Sequence, residues 1–161
     1  MSSVDLQDLG PEDWRAWRNL RLRALADAPQ AFTTTLAEWS GSGDSESRWR
    51  RRLSSVPLNL VASVGGTAVG MASATSPENE EVELISMWVA PEARKAGVAT
   101  ALIEAVVEWA CDEGVARVAL DVRDDNATAI ALYRACGFVD AGRSLNSEPG
   151  APERRMLRAL R

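Results

Sequence analysis

Between Glu81 and Val122 the chain passes through a succession that few folds accommodate: a β-rich run, a loop holding a glycine, a helical stretch and a second β-rich run. Residues 81–89 read as a strand that Pro91 ends. After the 94–97 loop, Val98, Leu102, Val106 and Trp109 or Ala110 mark one face of a helix running to Glu113, with Gly114 at the C-cap position. Residues 115–122 are again β-rich. A strand–loop–helix–strand unit at the centre of the chain places the fold in the α/β class.

The flanking elements fit that class. Residues 4–9 read as a short strand, and Pro11 sits where a first-turn proline belongs. Trp14, Trp17, Leu20 and Ala24 recur at helical spacing up to Pro29, an aromatic stripe expected in the core with arginines on the opposite side. Residues 32–39 form a loop or short helix, and Gly41–Ser45 is a breaker with a capping residue before a second helix over 47–53. Two β-rich runs, 59–64 and 67–74, joined by Gly65-Gly66, give a hairpin. Asp124-Asp125-Asn126 offers an N-cap to a helix over 127–136, Phe138 opens a strand, and residues 154–160 form the last one. The order is β-α-α-β-β-β-α-β-α-β-β, with no repeat.

Composition narrows the chemistry. A length of 161 residues fits one domain, 1–161, with 46% hydrophobic and 25% charged residues, as in soluble globular proteins. There is no histidine, which removes Ser-His and Cys-His nucleophiles, HExxH zinc sites and imidazole bases. Cys111 and Cys136 form no CxxC motif and read as small buried hydrophobes; no metal is expected. A net charge of −5 argues against nucleic-acid binding. Lys95 is the only lysine among 18 basic residues, so the arginines read as the coding bias of a GC-rich genome. The first residues carry no basic n-region or apolar h-region, and prolines, glycines and polar residues interrupt the charge-free 53–77 stretch. A cytoplasmic protein without membrane partners is expected.

The glycine loop carries the function. A strand that enters a helix N-terminus through such a loop presents unpaired backbone N–H groups to an anion, and Arg94 and Lys95 add positive charge. No Lys-Ser/Thr follows the glycine and GxGxxG is absent, so neither a Walker A motif nor a dinucleotide fingerprint is present. Arg94-Lys95-Ala96-Gly97-Val98-Ala99 resembles the acyl-CoA pyrophosphate motif of the GNAT superfamily of N-acetyltransferases, [QR]-x-x-G-x-[GA]. Asn126-Ala127-Thr128-Ala129-Ile130-Ala131-Leu132-Tyr133, with Gly137-Phe138, resembles its second signature, N-x-x-A-x-x-[LF]-Y-x-x-x-G-F. The likeness is sharp over residues 81–140 and elsewhere lies in element order. Lys95 departs from it, standing where many members have glycine.

The resemblance implies a mixed, twisted, mostly antiparallel sheet, splayed between its fourth and fifth strands and flanked by about four helices. Acetyl-CoA would enter the split, its pantetheine along the backbone of Met87, Trp88 and Val89 and its pyrophosphate against the amides of Arg94, Lys95, Ala96, Gly97, Val98, Ala99 and Thr100. Asn126 and Ala129 would line the CoA arm, and Trp88 could equally be a core residue of its strand. The acetyl group would pass directly to a primary amine in a ternary complex. Val89 N–H would face the thioester oxygen, and Tyr133, the only tyrosine, would protonate the leaving thiolate.

Glu83 is the candidate base. Six residues before Val89, it falls on the same face of an extended strand. Glu81 could substitute, and Glu78, Glu80, Glu81 and Glu83 could also be a solvated acidic stretch. The amine acceptor, small molecule or peptide, would meet Phe32, Thr33, Thr34, Thr35, Glu38, Trp39 and that acidic cluster. Homodimers are common in the family. A non-catalytic acyl-CoA-binding sensor or assembly module is the alternative.

Overall fold

A computed structural model describes residues 3–32 and 34–160. The strands are β1 (Val4–Asp8), β2 (Leu58–Val64), β3 (Thr67–Ala74), β4 (Glu81–Val89), β5 (Arg117–Arg123), β6 (Val139–Arg143) and β7 (Glu153–Ala159). The α-helices are α1 (Trp14–Asp27), α2 (Glu46–Ser55), α3 (Val98–Asp112) and α4 (Ala127–Ala135). Their order is the one the periodicities give. The 29–43 segment is looser than a helix, with three short 3-10 turns, because its proline, glycines and threonines do not sustain i→i+4 bonding. Thr33 lies outside the described residues.

The strands form one sheet in the order β1-β2-β3-β4-β5-β7-β6. All neighbours are antiparallel except β4 and β5, which run parallel. That parallel pairing is brief: Glu81, Val82 and Glu83 face Arg117, Val118 and Ala119, and beyond Glu83 the strands have no register partners. β5 then stays with β7 along its whole length, while β4 stays with β3. The sheet therefore opens into a V between β4 and β5.

Two devices set the shape of β4. Met71 pairs with Trp88 and Ser73 with Ile85, so β4 carries one residue more than β3 over that interval. Ser86, at φ 55°, sits in this bulge. The extra residue shifts the alternation. Ile85 and Trp88 share the face of Ser73 and Met71, whereas Leu84 and Val89 share the opposite one. Glu83 and Val89 consequently do not share a face; simple counting fails by the one bulged residue. The second device is Gly70, whose missing Cβ would lie 3.0 Å from Val98 and 3.1 Å from Leu102. A side chain there would push back the first turns of α3, so glycine lets the helix N-terminus seat against the strands beside the V.

The core holds Trp17, Trp49, Leu102, Val106 and Phe138, all essentially solvent-free. Truncation of such a side chain, Leu102→Ala for instance, costs about 2–5 kcal/mol. Cys136 is buried as expected, whereas Cys111 is exposed, on the side of α3 away from the sheet. Arg21 is also a correction to the expected pattern. It is 9% exposed, on the buried side of α1 with Trp17, Leu20 and Ala24 rather than opposite them. Among the described residues no helix is long and apolar enough to cross a membrane.

Candidate active site

On the α1–α2 face the V opens into a cleft of about 310 Å³. β4 contributes Glu83 and the 84–87 stretch, β5 contributes Leu120 and Asp121, and α4 contributes Tyr133. Of the residues expected to act, Glu83, Met87 and Tyr133 meet in this cleft. Val89, Trp88, the 94–100 loop, Asn126 and Ala129 lie outside it, along the end of β4 and the starts of α3 and α4.

Glu83 is the last β4 residue paired with β5, its N–H held by the Thr75 hydroxyl at 2.9 Å. Its carboxyl group makes no hydrogen bond or ion pair among the described residues. Burial, and then the nearby Asp121 carboxylate, raise its pKa above the ordinary glutamate value. Glu81 is differently occupied: it accepts from Arg117 Nε at 2.9 Å and Arg155 Nη2 at 2.5 Å. Glu78 and Glu81 exchange backbone bonds across a tight turn, with Asn79 and Glu80 both at positive φ. The four glutamates thus divide into one cleft carboxylate and a turn leading into ion pairs.

Tyr133 is buried, its ring edge-on to Phe138 at 6.0 Å between centroids. Its hydroxyl has no partner among the described residues. Burial, with the neighbouring Cys136 thiol, raises its pKa above the ordinary phenol value, keeping the proton in place across the physiological range.

At the end of β4, Ala90 N–H donates to the Val69 carbonyl at 2.7 Å. Successive residues of an antiparallel strand point their backbone groups to opposite edges, so Val89 turns its N–H and carbonyl toward the edge that β5 has left. The Val89 carbonyl accepts from Arg94 Nε at 3.0 Å, and Arg94 Nη2 donates to Asp27 at 2.7 Å. Arg94 therefore ties the loop to β4 and α1, with its charge matched by Asp27. The Trp88 indole also donates to Asp27, at 2.9 Å, and is buried, which favours the core reading of its side chain.

Gly97 caps α3 at φ 81°, ψ 4°, without a side-chain cap, and Ala101 N–H is the first to bond back to it. The N–H groups of Val98, Ala99 and Thr100 precede that first bond and form the open, donor-rich end of the helix. Lys95, at φ 67°, is exposed and also left-handed, which explains why glycine suits its position. Asn126 caps α4, its Oδ1 accepting from Ala129 N–H at 3.2 Å.

Phe32, Thr34 and Trp39 line the cleft, whereas Thr35 and Glu38 do not. Sequence reading missed Arg21, Arg52, Asp121, Asn146 and Glu153, which also line it. An arginine at 21, four residues after Trp17 and three before Ala24, interrupts the apolar stripe of α1 and was the available signal. Trp17, Trp49 and Arg52 complete the α1–α2 side.

A mixed sheet split after a short parallel pairing, with a helix N-terminus facing the split, is an architecture found among solved acetyltransferases. A GNAT-family acetyltransferase from Streptococcus pneumoniae superposes with a TM-score of 0.81 at 18% identity, covering 99% of this chain and 100% of that one. The paia N-acetyltransferase from Thermoplasma acidophilum, solved in complex with coenzyme A, gives 0.76 at 14% identity, covering 98% and 99%. Residues 14–138 match the Acetyltransferase (GNAT) family, and the chain belongs to that family. It is an acyltransferase. The aminoglycoside N(6')-acetyltransferase type 1 of Stenotrophomonas maltophilia is 29% identical over 153 residues, 88% of this chain and 90% of that protein. The [ribosomal protein bS18]-alanine N-acetyltransferase of Escherichia coli K12 is 39% identical over 62 residues, 38% of this chain and 42% of the relative.

Proposed function

We propose that residues 1–161 act as one domain that transfers an acetyl group from acetyl-CoA directly to a primary amine. The observation carrying this reading is the meeting, in one cleft, of a partner-free Glu83 carboxylate on β4 and a partner-free Tyr133 hydroxyl on α4. The donor fits the other side of the V. The open amides at the start of α3 suit a pyrophosphate, and the free edge of β4 from Met87 to Val89 suits an extended amide-bearing arm. Asn126 and Ala129, at the start of α4, would line that arm.

An alkylammonium must lose a proton before attack. Glu83, ionised and lightly solvated, takes it, directly or through one water. The amine nitrogen bonds to the acetyl carbon, and Val89 N–H faces the oxygen on which charge develops. The carbon–sulfur bond then breaks, Tyr133 donates its proton to the sulfur, and the nitrogen's second proton returns through water to the Tyr133 phenolate, which leaves a neutral amide and free CoA thiol. Two relatives are named for aminoglycosides and for the alanine of ribosomal protein bS18, both amine acceptors. A cytoplasmic location suits acetyl-CoA as donor.

The test is thiol release from acetyl-CoA with a panel of amines, in wild type and Tyr133→Phe. The variant keeps the ring. Its kcat is expected to fall by roughly 10²-fold or more, with KM for acetyl-CoA little changed, as for an interaction made in the transition state. Near-full turnover would reduce Tyr133 to a wall of the cleft.

A further inference from the structure

The α1–α2 wall of the cleft carries two guanidinium groups that the protein leaves without a counter-charge. Elsewhere, most half-buried arginines sit on carboxylates, as Arg18 does on Asp44, Arg154 on Asp124 and Arg155 on Glu81 and Asp121; half-buried Arg48 donates to the backbone carbonyls of Glu38 and Gly43. Arg21 and Arg52 have no such partner among the described residues. Arg52 donates to Asn59 Oδ1 at 2.8 Å and to the hydroxyls of Ser73 and Ser86 at 3.2 Å each, all neutral acceptors. The Arg21 side chain makes no hydrogen bond among the described residues. Its guanidinium stacks on Phe32, 4.4 Å from the ring centroid, and its buried Nη1 has no acceptor. Beside it, the solvent-free Trp17 indole Nε1 is likewise buried without an acceptor, and Arg52 stacks over the Trp17 ring at 5.2 Å. Burial, then the nearby Arg52 charge, bring Arg21 to about 10, and burial alone lowers Arg52 to about 10.

These orphans are all donors. Guanidinium and indole N–H groups have no acceptor capacity, so only a group rich in lone pairs satisfies them, and two uncompensated buried cations require it to be anionic. A carboxylate has both properties and the planar shape that a guanidinium fork matches. The opposite wall has the reverse character, with Glu83, Asp121 and Glu153, whose Oε2 is also buried and unpartnered. One small cleft thus presents cations at one end and carboxylates at the other.

We infer that the acceptor is an amine that itself bears a carboxylate, of the amino-acid class, held by Arg21, Arg52 and the Trp17 indole with its amino group toward Glu83. The inference rests on the acetyl-transfer reading and supplies its substrate class. A polycationic amine would leave Arg21 and Trp17 unsatisfied and add charge beside two arginines.

The experiment separates this proposal from the mechanism by using product, which needs no turnover. N-acetyl amino acids and their neutral carboxamides are titrated into the CoA-bound protein by calorimetry, for wild type and Arg21→Met. In parallel, kcat/KM is compared for free amino acids, their decarboxylated amines and an aminoglycoside. The acids are expected to bind at least ~10-fold more tightly than the carboxamides, the scale of a charge-assisted hydrogen bond, and Arg21→Met to erase that preference. Arg21→Met breaks no side-chain hydrogen bond among the described residues, so its melting temperature and its rise with CoA serve as folding controls. Equal binding of acids and carboxamides, a preference unchanged in Arg21→Met, or higher kcat/KM for the decarboxylated amines or aminoglycoside would overturn the assignment. Acid-selective product binding in a protein whose Tyr133→Phe variant keeps full turnover would uphold the pocket and reject only the proton donor.

Discussion

The two sides of the V use different materials. On the proposed donor side, the loop and first turn of α3 offer backbone N–H groups, and the side chains around them are exposed, as at Lys95, or tied inward, as Arg94 is to Val89 and Asp27. On the acceptor side the polar groups are buried or half-buried side chains: Arg21, Arg52, Glu83, Tyr133. A backbone site needs only a permitted conformation, which a glycine and a helix start provide, and it serves any sequence that folds so. A side-chain site depends on each residue's identity and on the elements that aim it. Chemistry common to a family can therefore reside in the first, while selectivity between acceptors must reside in the second.

The largest effect is expected on the acceptor side. Glu83→Gln removes the charge and keeps the shape, so turnover at neutral pH should fall by roughly 10²-fold, within the range for positioned bases. The pH profile distinguishes a base from a binding group. The loss is deepest between the raised pKa of Glu83 and that of the amine, and shrinks at alkaline pH, where free amine is abundant. A loss uniform across pH would make Glu83 a binding residue. Stability gives an independent check on the sign. A carboxyl group whose pKa is higher folded than unfolded stabilises fully below its unfolded value, and that contribution is lost as pH rises through the folded value. Glu83→Gln should therefore melt above wild type at neutral pH, and the gain should fade on acidification.

A smaller effect, confined to cofactor, is expected from Gly97→Asp. It puts a carboxylate and a left-handed strain at the α3 N-terminus, and the rise in melting temperature with CoA, a mass-action effect of binding the folded state, should vanish. Gly97→Ala adds strain without charge and should keep most of that rise. Equal CoA responses in wild type and Gly97→Asp would place the pyrophosphate elsewhere.

The same division explains what could be read from the sequence. Element order and the glycine-led helix start follow from local periodicity and turn chemistry, and the motif residues from Arg94 to Ala99 and from Asn126 to Phe138 fall on the elements expected. The face of Glu83 relative to Val89 was misread, because the Ser86 bulge depends on how β4 registers against β3, a long-range property. Arg21 and Arg52 were hidden by abundance. In a chain with many arginines, only their placement in the cleft separates these two from the arginines on surface ion pairs and from Arg15, Arg48 and Arg51, which also lack a carboxylate among the described residues but lie outside it. Glu81 and Glu83 look equivalent until Arg117 and Arg155 occupy one of them.

The mildest test bears on the claim that the donor side is a matter of backbone. Lys95 holds φ 67°, a conformation that costs a residue with a Cβ about 1–2 kcal/mol. Lys95→Gly removes that strain but enlarges the unfolded ensemble, an opposing effect of about 0.5–1 kcal/mol. The net expectation is a rise in melting temperature of a few degrees at most. Gly97→Ala, at φ 81°, should move it the other way, since it adds the strain that Lys95→Gly relieves. If backbone amides dominate the pyrophosphate site, CoA affinity in Lys95→Gly changes less than about 3-fold, roughly what one exposed, screened charge contributes. A drop of 10-fold or more would mean that the lone lysine reaches the phosphates. The donor side would then also owe its affinity to a side chain, and the contrast between the two walls of the V would narrow to a difference in exposure.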